Sequence, residues 1–402
     1  MSLANIINKT YCICGGKLKK KINFGKLPII NDFKKRKSPK YPTVLTICSK
    51  CNLVQLKYSV KDKLIYPKNY AYQSGDSKEK IEDYKNLISN ISRRYYFKKP
   101  SIIDIGGNDG SLMLEAKKKG YSTTNIEPTN VALISKRKGI NTIRKNFNIK
   151  IAKKLSIKKK YDFLVSTNFF AHTNNLKEII LGSKLILKDQ GIMIIEVQYL
   201  YSVLRGNGFD SIHQDHRYYY TLNSINKILK IFGLYIFDAE FLKKNNEILR
   251  VYVNKIKKNS SERLKKILNK ENDKIIFSKV KKLNNFRKSY SIKIKKLVVN
   301  LKKNKNIVCA IGASPRGCIL LNTSNFSKNE INFVGEIKES FKLKKLIPGT
   351  NIPILNEKHL IDKKIDFIII LAWHLKNRLI KTLVSNGYKG KFIVPLPNLK
   401  IS

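Results

Sequence analysis

Acidic residues are scarce in this chain. Its 402 residues carry 28 Asp and Glu against 81 Lys and Arg, a formal net charge of +53, and it has only five His, six Cys, three Met and one Trp. It lacks any stretch with the length and uniformity of a membrane span. Its start, Met1-Ser2-Leu3-Ala4-Asn5-Ile6-Ile7-Asn8-Lys9, lacks the apolar core of a signal peptide. These absences predict a cytoplasmic protein with no membrane partner. Arg is scarce beside Lys, which weighs against bidentate contacts to phosphates or bases. The lysines run along the whole chain together with abundant Asn and Ile, three residue types with A/T-rich codons. The charge therefore reads as solvated surface, and no nucleic acid is expected as a partner. An apolar content of 42% is that of a globular protein, and the length predicts two or three domains.

What is present is most specific at Ile102-Ile103-Asp104-Ile105-Gly106-Gly107-Asn108-Asp109-Gly110-Ser111. An apolar strand, a tight glycine turn and a following helix aim backbone N–H groups and a helix N-terminus at a nucleotide-like ligand. The dinucleotide fingerprint would be G-x-G-x-x-G. Here an acid precedes the glycines, which suits the ammonium and sulfonium of S-adenosylmethionine and would repel a pyrophosphate. Glu127 closes the next apolar segment, where a ribose-holding acid belongs. The candidate cofactor residues are Asp104, Gly106, Gly107, Asn108, Asp109, Gly110, Glu127 and Asn168. The plainer alternative is a strand, turn and helix whose glycines serve only chain reversal.

Cys12 and Cys14 form a short C-x-C knuckle and Cys48 and Cys51 a C-x-x-C. In a cytoplasmic chain four such thiolates point to a closed structural Zn2+ site before disulfides. Cys309 and Cys318 read as buried apolar residues. Residues 1–75 otherwise show little regular periodicity, as expected of a zinc-binding module stapled by metal instead of a core.

After a polar helical segment near 77–92, apolar strands at 101–106, 122–127, 162–166 and 191–196 alternate with helical stretches. This predicts a Rossmann-like α/β domain over 76–257. Residues 258–303 read as a helical linker of one or two long helices. A second, C-terminal Rossmann-like α/β domain over 304–402 begins with another strand and glycine turn at Asn306 to Gly317. Two nucleotide-type domains suggest two ligands with nucleotide parts, although a structural duplicate has the same pattern.

Three of the five histidines lie in the middle domain. His213-Gln214-Asp215-His216 places two of them around a carboxylate, and a histidine oriented by an acid is a standard general base. A metal reading of H-x-x-H lacks an obvious third ligand nearby. His172 follows the strand ending at Ser166, at the carboxyl edge where ligands bind, and it could equally be a satisfied core histidine. Tyr70 and Tyr72 are packing aromatics or hydroxyl donors.

Taken in order, these segments resemble the sugar C-methyltransferases that act on nucleotide-linked 4-keto-deoxyhexoses. The resemblance runs through the cysteine module, Tyr-x-Tyr-x-Ser at 70–74, Asp-Ile-Gly-x-Asn-Asp-Gly-Ser at 104–111, Ile126-Glu127-Pro128, Asn168 to His172, Phe209 to His216, and Pro348 to Ile354. It implies a class I methyltransferase domain holding S-adenosylmethionine, a nucleotide-sugar substrate reaching across from the C-terminal domain, and a role in deoxysugar or surface polysaccharide biosynthesis. It places the base on His216, the supporting carboxylate on Asp215, and the groups on the ketone oxygen on Tyr70 and His172. His213 stands where the family often has tyrosine, and Asp215 where it has Glu. The family's glycine pair before the Leu-Arg-Val-Tyr strand is replaced in Asn245-Asn246-Glu247-Ile248-Leu249-Arg250-Val251-Tyr252. Asn146 occupies the place where the resemblance implies an acid that receives the adenine amino group. These departures bear on the sugar and the methylated atom. Two other classes compete: a zinc-bearing nucleic-acid methyltransferase, and a nucleotide-sugar-binding protein without catalysis. The chain is expected to act as a monomer or homodimer.

Overall fold

The computed structural model describes residues 5–67, 70, 72–242, 245–362 and 364–402. Three larger sheets organise them. The first consists of β1 (Leu18–Pro28), β2 (Lys40–Cys48) and β3 (Val54–Leu56), joined by the short β9 (Tyr218–Tyr219) from far along the chain, in the order β9-β3-β2-β1. The expectation of a module without a core is corrected here. Phe24, Leu27, Leu45, Leu53 and Leu56 are all buried, so metal and apolar packing share the work.

The second sheet follows helix α1 (Lys78–Arg94), which Ser77 caps by accepting from the Lys80 N–H. Its strands are β4 (Ser101–Ile105), β5 (Ser122–Ile126), β6 (Asn141–Ile143), β7 (Tyr161–Thr167), β8 (Leu187–Gln198), β10 (Tyr235–Leu242) and β11 (Asn245–Asn254). They lie in the order β10-β11-β8-β7-β4-β5-β6. The five strands from β6 to β8 are parallel, while β11 runs antiparallel to both its neighbours. Helices on both faces explain why β4 and β7 read as nearly unbroken apolar runs: Ile102, Ile103, Phe163, Leu164 and Val165 are fully buried. The chain leaves β4 toward β5 and β6, then crosses back to β7 on the other side. That reversal opens a crevice at the carboxyl ends of β4 and β7.

Helices Glu262–Asn269 and α2 (Ile276–Lys303) lead to the third sheet. It contains β12 (Val308–Ile311), β13 (Val334–Glu336), β14 (Ile354–Asn356), β15 (Phe367–Ile370), β16 (Lys391–Val394) and β17 (Lys400–Ile401), in the order β14-β13-β12-β15-β16-β17. All its pairings are parallel except the last. The fold is thus α/β, with two Rossmann-like sheets behind a smaller antiparallel module. Cys309 and Cys318 lie buried in and beside the third sheet, as their apolar neighbours suggested.

Candidate active site

The glycine turn sits at the crevice. The Gly106 and Gly107 N–H groups donate to the Ile126 carbonyl at 2.9 and 3.2 Å, drawing the loop over the end of β5. Gly106 has φ +76°, and a Cβ there would meet the Phe169 ring at 2.7 Å; one on Gly107 would lie 2.0 Å from Asn125 Oδ1. Glycine is therefore required by both backbone and space. Gly110, at φ +72°, caps the helix Ser111–Lys118.

The acids around this turn divide into two kinds. Asp109 turns inward: it accepts from Ser74 Oγ at 2.7 Å, the Gly75 N–H at 3.1 Å, Ser111 Oγ at 2.9 Å and Lys138 Nζ at 3.0 Å. Both its oxygens are committed, so it pins the segment after Tyr72 to the turn and is a structural clamp instead of the ligand contact the sequence suggested. Asn108 works beside it, accepting from the Ser74 N–H at 2.8 Å and donating to the Tyr72 carbonyl at 3.1 Å. Glu127 accepts from the Asn108 N–H at 3.2 Å and the Thr129 N–H at 2.9 Å, which orients its carboxylate at the end of β5.

Asp104 is the other kind. It is buried, and its Oδ1 has no hydrogen-bond partner among the described residues. Burial pushes its carboxyl up to about 8, and the negative charges of Glu196 and Glu127 add to the rise. Glu196 itself is paired with Arg250 at 2.7 Å and Lys80 at 3.5 Å. A buried carboxyl with one oxygen unpartnered, beside a glycine turn, fits a ligand that brings its own positive charge, as S-adenosylmethionine does.

Across the crevice, Asn168 has φ +59° and donates its N–H to the Glu196 carbonyl, turning the chain sharply after β7 toward His172. The three histidines converge there. The His213 and His216 rings lie 4.1 Å apart at 35°, and His172 meets His216 edge-on at 4.9 Å and 76°. His213 is buried, whereas His172, His216, Tyr66 and Tyr70 are half-buried. His216 Nδ1 lies 3.1 Å from the Ser211 carbonyl. A carbonyl only accepts, so Nδ1 carries the proton of the neutral ring and the Nε2 lone pair is left for a ligand. The expectation that Asp215 sets this tautomer is corrected: Asp215 accepts from Asn31 Nδ2 at 3.4 Å instead. Burial holds all three histidines toward neutrality, with His216 lowered to about 4, and pushes Asp215 up to about 7.

Sequence reasoning missed Tyr66, whose hydroxyl lies 3.0 Å from His172 Nδ1; its ring meets Tyr70 edge-on at 5.5 Å. Tyr66 lies four residues before Tyr70, and an aromatic ending a short helix just before Pro67 was the available signal. Tyr72 is exposed, and Ala71 between the two lies outside the described residues, as do the side chains of Asn245, Asn246 and Glu247. Asn146 is exposed.

The four cysteines also meet. Their sulfurs all lie within 4.8 Å of one another, with Cys12 to Cys51 at 3.7 Å and Cys14 to Cys48 at 3.2 Å. Four sulfurs bound tetrahedrally to one zinc at about 2.3 Å sit about 3.8 Å apart, so C-x-C and C-x-x-C together fit Zn2+.

Three family models match the chain in succession: a zinc binding domain over residues 12–66, a methyltransferase domain over 77–238, and a C-methyltransferase C-terminal domain over 248–397. The last of these matches is to the C-terminal domain of C-methyltransferases. The C-methyltransferase NovU of Streptomyces niveus is 23% identical to it over 371 residues, covering 90% of this chain and 87% of that one. Among solved structures, the PH0226 protein of Pyrococcus horikoshii OT3 is 14% identical and covers 48% of this chain and 97% of its own, at a TM-score of 0.37. The magnesium protoporphyrin IX methyltransferase ChlM of Synechocystis PCC 6803, with bound S-adenosylmethionine, is 13% identical and covers 43% and 79%, at 0.33. The enzyme is an S-adenosylmethionine-dependent C-methyltransferase with a zinc-binding module. No helix among its described residues is long and apolar enough to cross a membrane.

Proposed function

We propose that this C-methyltransferase alkylates a carbon next to the ketone of a nucleotide-linked 4-keto-deoxyhexose, in deoxysugar or surface polysaccharide biosynthesis, through an enolate that His216 generates. The observation that supports the reading is His216 itself, half-buried, with Nδ1 held by the Ser211 carbonyl and Nε2 available, and with His172 and His213 packed against it. Carbon is methylated only after it has been made nucleophilic, and loss of a proton next to a carbonyl does this when a base and oxyanion donors are present. His216 takes that proton at Nε2. Tyr70 and His172, with Tyr66 behind His172, are the polar groups for the oxygen. S-adenosylmethionine, when bound, supplies an electrophilic methyl group without metal help. The third sheet, whose β12 turn meets the histidine segment, is the natural support for the nucleotide part of the substrate.

In this reading Asp104 faces the donor's ammonium, and its raised pKa gives a pH dependence. Only the carboxylate form attracts the ligand, so affinity for S-adenosylmethionine climbs as pH rises from 6 to about 8, by at most about tenfold per unit. Above about 8 the ligand's own α-amino group loses its proton and affinity falls again. Calorimetric titration across this range checks the prediction. Asp104→Asn removes the rising limb, and a flat wild-type profile contradicts the assignment.

The reaction itself is tested with 13C-methyl S-adenosylmethionine and a set of nucleotide-linked 4-ketosugars. The expected product carries the label on the carbon adjoining the ketone, read by carbon–carbon coupling in the NMR spectrum. Label found on oxygen, or on none of the sugars, overturns the proposal.

A further inference from the structure

The histidine segment is braced from the C-terminal sheet. Phe209–Ser211 is a single 3-10 turn, and Asp210 at its centre is buried. Arg316, in the first turn of the helix Pro315–Thr323, donates to both Asp210 oxygens, Nε at 2.9 Å and Nη2 at 3.0 Å. Trp373, just beyond β15, donates its indole N–H to the same carboxylate at 2.9 Å, and the guanidinium lies 4.4 Å over the indole. Three donors and a stacked cation thus fix one acid, a geometry stiffer than an ordinary surface ion pair. The residue after Asp210 is Ser211, whose carbonyl holds His216 Nδ1. Gln198, at the end of β8, donates to the Ser211 hydroxyl at 3.3 Å from the other side.

We propose that Arg316 and Trp373 are positioning residues for His216: through Asp210 they set the Ser211 carbonyl, so that the imidazole is competent as a base only while the C-terminal sheet is docked. The proposal rests on the reading of His216 as the base. It gives the C-terminal sheet a task besides substrate support, because proton abstraction and docking are then coupled through one main-chain oxygen. Arg316 also adds its charge to the burial that keeps His213 and His216 neutral.

Trp373→Phe removes the indole N–H, at the cost of a smaller ring, and keeps an aromatic face under Arg316, while Asp210→Asn deletes the charge that Arg316 grips. A slight displacement of a catalytic group costs on the order of 10- to 100-fold. The expected result is therefore a loss in kcat of about tenfold for Trp373→Phe and up to about 100-fold for Asp210→Asn, with KM for both substrates within about threefold. A second readout needs no substrate. In 15N-histidine NMR of the full-length zinc-loaded protein, with His216 assigned by its absence in His216→Asn, the wild type shows the Nδ1–H tautomer and Trp373→Phe shows a mixture. Unchanged tautomer and kcat in Trp373→Phe overturn the proposal, as does a loss confined to KM. If no ketosugar is turned over, the assigned function fails while the tautomer result still decides the brace. If Asp210→Asn does not fold, Trp373→Phe alone decides between these outcomes.

Discussion

With His216 replaced by Ala, methyl transfer falls by about 10²- to 10⁴-fold, the range over which a positioned base contributes. On the proposed mechanism the loss appears in kcat, because a base acts on the reacting carbon and not on the donor. S-adenosylmethionine affinity stays at its wild-type value, since the Asp104 to Gly110 turn is anchored on β5 independently of the histidines. His172→Ala and Tyr66→Phe are expected to be milder, since on the proposed mechanism His172 is one of two groups for the oxygen and Tyr66 acts only through its contact with His172. Single-turnover kinetics separate the two classes. Wild-type kcat in His216→Ala would remove the base assignment.

Loss of zinc is expected to have the largest effect on stability. A structural zinc is worth on the order of 10 kcal/mol in domains that depend on it. Here the buried Phe24, Leu45 and Leu53 share the load, so a chelator destabilises the module without wholly dissolving it. Cys48 is fully buried, and Cys48→Ser should reproduce the effect. Activity disappears in both cases, because Asn31 against Asp215 and Tyr66 against His172 are carried on the module. Donor binding is retained in part. Metal analysis, thermal melting and limited proteolysis check this: one zinc per chain, an early melting step after chelation, and cleavage within residues 12–66. An apo protein that melts unchanged and keeps full activity contradicts the prediction.

The parallel strands were legible because β4, β7 and the second half of β8 are buried on both faces and are dominated there by Ile, Val, Leu, Phe and Met. The N-terminal hairpin was not. In Leu18-Lys19-Lys20-Lys21-Ile22-Asn23-Phe24 only Ile22 and Phe24 point inward, and irregular pairing between β1 and β2 breaks the alternation that marks a strand. The lysine excess that spoils nucleic-acid arguments also hides this period. In the site, three of five histidines in one domain made the cluster conspicuous. The Ser211 carbonyl could not be read from sequence, because a main-chain oxygen has no residue signature. Nor could the brace on Asp210, whose partners lie 106 and 163 residues away. Asp109 misled for a related reason: a carboxylate in a cofactor turn looks the same whether it faces a ligand or, as here, Ser74 and Lys138.

The central claim is that His216 makes a carbon nucleophile before any methyl group moves. Proton exchange at that carbon measures this step alone. A nucleotide-linked 4-keto-deoxyhexose is incubated in D2O with the zinc-loaded enzyme and S-adenosylhomocysteine, which fills the donor site without supplying a methyl group. Deuterium is expected at the position next to the ketone with wild-type enzyme, and none above background with His216→Ala. Exchange at the same rate in both proteins, or in neither while methyl transfer proceeds, would contradict the claim.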